Sequence, residues 1–92
     1  MKKDKSPKAV ALRYHHGQDQ APSVVAKGRG NVAQNIIALA REHQVPLVED
    51  QQLVEMLEAL DVDTEIPDTL YRAVAEVLVF VYRLNSAQSQ VG

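Results

Sequence analysis

The 92-residue chain carries ten Lys and Arg against twelve Asp and Glu, a net charge of −2, and no cysteine. With a pI near 5.8 and no basic stripe, it lacks the positive footprint a phosphate backbone requires, which excludes nucleic acid as a partner. The missing thiols exclude disulfides, thiolate metal sites and cysteine nucleophiles.

The length suits one domain with one core. Met1 to Pro7 has no apolar signal-peptide core and reads as a disordered N-terminal segment, followed by a single domain over residues 8–85. No window approaches the ~20 apolar residues that span a bilayer, so no direct membrane insertion is expected and the chain reads as soluble and cytoplasmic. From Ala9 to Tyr14, Val10, Leu12 and Tyr14 alternate with Ala9, Ala11 and Arg13, the period of a strand. A polar run from His15 to Gln20 ends at Ala21-Pro22, and Ser23 to Ala26 is a short β-branched strand, giving a hairpin with a long loop.

Lys27-Gly28-Arg29-Gly30 breaks that strand, and Asn31 with Gln34 three residues on reads as a capping-box variant opening a helix that runs to about His43. Its apolar set is Ala33, Ile36, Ile37 and Ala40, and Pro46 limits its end. Leu47 to Glu49 reads as a third strand, parallel to the strand at Val24 through a right-handed crossover. Asp50 is the expected N-cap of a short helix whose stripe is Leu53, Met56, Leu57 and Leu60, with Met56 in the core. After the acidic loop Asp61 to Glu65, Pro67 opens the last helix, which is expected to end near Leu84 or Asn85, leaving residues 86–92 as a disordered tail. The fold class is therefore α/β: a small mixed sheet of about three strands, a hairpin plus one parallel crossover, flanked by three helices.

The last helix is apolar in nearly every direction between Arg72 and Arg83, where Glu76 is the one charge. A domain this small cannot bury such a helix on all sides, so some of it is left for a partner. Most other motifs have ordinary explanations. His15-His16 would point to opposite sides of an extended strand, and a solvated loop accounts for them. Asp61, Asp63 and Glu65 lack the central Gly and distal Glu of a calcium loop. Glu49 and Asp50 are adjacent and point apart, so no acid/base pair is visible, and Ser6 and Ser23 have no histidine beside them. Gly28-Arg29-Gly30 before a helix N-terminus has two readings: a strand-to-helix turn, or a cradle for an anionic metabolite over Gly28 to Asn31, which would make the chain a small regulatory domain. No enzyme activity, cofactor or metal is indicated.

Ala9-Val-Ala-Leu-Arg-Tyr14, Ala21-Pro22, Val25-Ala-Lys-Gly28, Val45-Pro46, Val48-Glu49, Glu65-Ile-Pro67, Leu70-Tyr71 and Ala73-Val-Ala-Glu-Val-Leu78 occur in an order and spacing that resemble one family. It is the soluble C-terminal cytoplasmic domain of the FlhB/YscU export-switch proteins of bacterial flagella and type III secretion. The resemblance covers nearly all of the ordered chain. The family hallmark, an Asn-Pro-Thr-His tetrapeptide cleaved by its own asparagine, has Asp4-Lys5-Ser6-Pro7 in its place, so no self-cleavage is expected. The strand that precedes the tetrapeptide and the four membrane helices of the family are also not matched, and the chain resembles the fragment downstream of the cut, made as a free protein.

The resemblance implies a non-enzymatic accessory protein of flagellar or type III export that binds export substrates or apparatus components. It also suggests substitution for the cleaved fragment of a membrane-bound homologue, with recruitment to the membrane apparatus. It places a substrate patch at Ala21, Pro22, Ala75 and Leu78. Ala75 and Leu78, three apart, lie side by side on a helix, and Leu70, Val74, Val77 and Val81 form a neighbouring stripe suited to the core. The ordinary alternative is that all four patch residues pack internally. A monomer is expected, with a homodimer through the last helix as the other possibility.

Overall fold

A computed structural model describes residues 6–15 and 17–89, with side chains through residue 83. The expected disorder of residues 1–5 and 90–92, His16 of the histidine pair and Asp4 of the self-cleavage stretch lie outside the described residues.

The alternating residues near the start form β1 (Lys8–Arg13), which pairs antiparallel with β2 (Ser23–Arg29). Lys8 lies opposite Arg29 and Arg13 opposite Ser23, with Val25 as the extra residue of a bulge across from Ala11 and Leu12. Alternation gives the hairpin two unlike faces. The small side chains of β1, led by buried Ala9, take the face covered by helix α1 (Asn31–Glu42), whose buried residue is Ala33. Val10 and Leu12 take the other face, against Leu53 and Leu57 of helix α2 (Gln51–Glu58) and Val74 of the last helix. That second layer, with Ala21 and Ile66, is the main core.

Helix α1 closes against β2 because Gly28 has no side chain: a Cβ there would overlap Val32 Cγ1. Its N-cap is Gly30, at φ 61°, with no side-chain cap bond, so Asn31 is the first helical residue and the expected capping box does not form. The helix ends in a Schellman pattern. Val45 N–H donates to the Ala40 carbonyl (2.7 Å) and Gln44 N–H to that of Arg41 (3.2 Å), with Gln44 at φ 60°.

The third strand expected at Leu47 to Glu49 is absent among the described residues; the sheet has two strands, and residues 41–50 are all exposed. The place beside the start of β2 is taken by the segment that had read as acidic loop. Val24 N–H donates to the Thr64 carbonyl (2.9 Å), Asp63 N–H to Val24 (2.6 Å) and Ile66 N–H to Pro22 (2.9 Å), with an antiparallel bridge between Ser23 and Glu65. Asp50 caps α2 as expected, its carboxylate accepting from Leu53 N–H at 3.0 Å. Met56 is 45 % exposed rather than core: α2 is short and lies flat on the sheet, so only Leu53 and Leu57 face fully inward.

Pro67 precedes a single 3-10 turn, Asp68–Leu70, which leads into α3 (Tyr71–Ser89). Helix α3 thus continues past Leu84 and Asn85, residues 86–89 containing neither Gly nor Pro to stop it.

Candidate functional site

The loop that ends in Ala21-Pro22 and the start of α3 meet because both are anchored to the same residues. The bonds from Val24, Asp63 and Ile66 lock the 63–66 segment to the base of β2, and Leu70 N–H closes the 3-10 turn on the Pro67 carbonyl at 2.9 Å. Ile66, 3 % exposed, and Val74, 1 % exposed, then hold the first turns of α3 against Ala21. The outcome is a groove of about 280 Å³ between the loop and the helix. Ala21 and Pro22 are buried at its floor with Ile66 and Val74; Ala75, which is exposed, and Leu78, half-buried, form the helical wall with Val79. Tyr14, Gln20 and Tyr71 close the rim.

All four residues of the expected patch therefore line one groove, in unequal roles: two as floor and two as wall. Tyr14, Gln20, Ile66, Tyr71, Val74 and Val79 were not singled out from the sequence as lining residues; Tyr71 and Val79 had a signal, since they flank Ala75 at four-residue spacing. The groove is apolar over its floor and helical wall, with polar groups only at its edge. The rim is negative near Tyr71. A hydrogen bond to the Asp68 carboxylate, with burial and the charges of Asp68 and Glu65, raises the Tyr71 phenol above its ordinary value of 10.0. Such a surface suits an extended apolar segment. Among the described residues no cluster of His, Asp and Glu is arranged to hold a metal ion, and no helix is long and apolar enough to cross a membrane.

The second candidate region, Gly28 to Asn31, has its groups engaged within the fold. Gly28 makes room for Val32, and Gly30 N–H donates to the Pro7 carbonyl at 2.9 Å. The Arg29 guanidinium makes a two-pronged contact with Glu58, Nε to one oxygen at 2.6 Å and Nη2 to the other at 2.7 Å. Lys27 Nζ donates to the carbonyls of Glu58 (2.9 Å) and Leu60 (2.7 Å), capping the C-terminus of α2, a role its place in the sequence did not suggest. The shallow cavity beside these groups is lined by Glu55 and Glu58 as well as the two cations, a mixed surface rather than an anion cradle. His15 sits in the hairpin loop, its N–H donating to Asp19 Oδ2 at 2.9 Å.

Comparison with known proteins accords with this geometry. Residues 7–81 match the FlhB HrpN YscU SpaS family. The chain is 47 % identical over 87 residues to the Bacillus subtilis (strain 168) protein YlqH, covering 92 % of this chain and 94 % of that one. It is 42 % identical over 74 residues to the flagellar biosynthetic protein FlhB of Aquifex aeolicus, covering 79 % of this chain but 21 % of that relative, so it spans about a fifth of the FlhB chain. The crystal structure of the cytoplasmic domain of FlhB from Shewanella putrefaciens superposes with a TM-score of 0.83 at 36 % identity, covering 92 % of this chain and 67 % of that one. With the family match spanning the hairpin, the first two helices, the first half of α3 and every residue of the groove, the chain belongs to the FlhB HrpN YscU SpaS family of flagellar and type III export-switch domains.

Proposed function

We propose that this domain is a binding module of the flagellar or type III export machinery, without catalytic activity, that receives an apolar segment of an export substrate or an apparatus component in the groove at Ala21, Pro22, Ala75 and Leu78. The observation that carries the reading is the convergence of two distant stretches of chain on one apolar groove. A floor of Ala and Pro leaves a depression that one apolar side chain can enter, with the Gln20 amide at the rim to hydrogen-bond a peptide backbone. Asp4 has no side-chain amide to attack its own carbonyl, so the chain stays uncut; an unchanged intact mass after prolonged incubation checks this.

The test of the groove is an amide NMR titration of the labelled protein with N-terminal segments of flagellar rod and hook export substrates. Shifts clustering at Ala21, Ser23, Ala75 and Leu78, and lost in Ala75→Glu, are expected. Ala75 is exposed, so that variant retains its fold. Saturating peptide with no shift at these positions would remove the groove reading.

A second mode of contact has its own support. Among the described residues β1 pairs only with β2, leaving its outer edge without a ladder partner. Pairing of that edge with a strand of a membrane-bound homologue would let the domain stand in for the homologue's cleaved fragment and recruit it from the cytoplasm to the membrane apparatus. A peptide of that homologue's strand should protect the β1 amides from exchange; unchanged exchange at high micromolar peptide would remove this mode.

A further inference from the structure

The groove uses one side of α3 and leaves another uncovered. With Val74 as the inward direction, a step of about 100° per residue puts Arg72, Glu76 and Arg83 on the outward line of the helix, with Val79 and Phe80 to either side of it. Val79 is 49 % exposed, Phe80 51 % and Tyr82 72 %. Helix α3 is 19 residues long, about 28 Å, and among the described side chains its contacts with the core are at Ala73, Val74, Val77 and Leu78. The exposed Val79 and Phe80 on this outer face gain from a partner that covers them. Among the described residues neither Glu76 nor Arg83 forms an ion pair within the chain.

We propose that this face of α3 pairs with α3 of a second copy of the chain, antiparallel about a two-fold axis, with Glu76 of each helix opposite Arg83 of the other. The charges select the occupant and its orientation. An axis midway between residues 76 and 83 crosses the helix between Val79 and Phe80, so the most exposed central apolar pair meets its own copy while both Glu-Arg pairs form at once. A parallel arrangement would set Glu76 against Glu76 and Arg83 against Arg83. One helix offers less than the ~800 Å² per partner of a standard interface, so the dimer is a weak one. Val79 belongs both to this face and to the groove wall, so dimerisation and groove occupancy compete.

Sedimentation equilibrium of the full chain from ~10 µM to ~1 mM tests the pairing. Wild type is expected to shift from monomer to dimer across that range, and Glu76→Arg and Arg83→Glu are each expected to weaken self-association by about tenfold or more. An equimolar mixture of the two variants should associate again, because each supplies the charge the other lacks, and a misfolded variant could not regain association by mixing. A wild type that stays monomeric to the top of the range overturns the proposal, as do single variants that dimerise as tightly as wild type. A monomer whose Glu76, Phe80 and Arg83 amides move only on addition of an apolar peptide overturns it too, and assigns the face to that partner.

Discussion

Replacement of Gly28 by Ala tests the contact that seats α1 on the hairpin. The added Cβ would overlap Val32 Cγ1 and lie 2.7 Å from Val32 Cβ. Rotating Val32 cannot relieve the second clash, because Cβ does not move with χ1, and a valine in a helix has one strongly preferred rotamer. The helix has to shift instead, and overpacking of this kind costs about 1–3 kcal/mol. Against it, an alanine narrows the unfolded ensemble and returns about 0.4–1 kcal/mol. The net expectation is a destabilisation of about 1–2 kcal/mol, or roughly 4–8 °C in Tm for each kcal/mol in a domain of this size. Urea denaturation of wild type, Gly28→Ala, Val32→Ala and the double variant closes a thermodynamic cycle. In the Val32→Ala background the Cγ1 overlap is gone while the contact with Cβ remains, so the Gly28 substitution should cost less than it does in wild type. If it costs the same in both backgrounds, the close approach to Val32 is not what requires glycine, and the anion-cradle reading of Gly28 to Asn31 regains its ground.

Asp50→Ala removes the carboxylate that accepts Leu53 N–H and is expected to cost about 1 kcal/mol, read as a lower urea midpoint, with Asp50→Ser recovering most of it. Arg29, by hydrogen bonding to Glu58 and by its charge, holds that carboxyl below its ordinary 4.5, with Lys8 and Lys27 adding to the effect. A folded-state pKa below the unfolded one stabilises the protein above the unfolded value and loses that contribution as pH falls through the folded one. Urea midpoints taken from about pH 6 down to about pH 3 should therefore fall less steeply in Arg29→Ala than in wild type; parallel curves would show that the pair does not contribute to acid sensitivity.

Local signals along the chain were enough for β1, for both ends of the hairpin loop and for α2. Alternation of Val10 and Leu12 with Ala9 and Ala11 set which face meets the main core, and Asp50 carried its own capping partner three residues on. The absence of a third strand was not legible, because strand pairing is non-local. Leu47 and Val48 have the right composition, but the backbone groups of Val24 were satisfied by Asp63 and Thr64, two residues of a stretch that reads as loop. Periodicity likewise placed Met56 in a stripe without saying how wide a stripe the sheet beneath α2 would cover. The groove depends on both kinds of information. The family resemblance supplied Ala21, Pro22, Ala75 and Leu78 as a patch, while their convergence required Ile66 to bond to Pro22 and thereby bring α3 alongside the loop, an arrangement set by contacts between residues far apart in the chain.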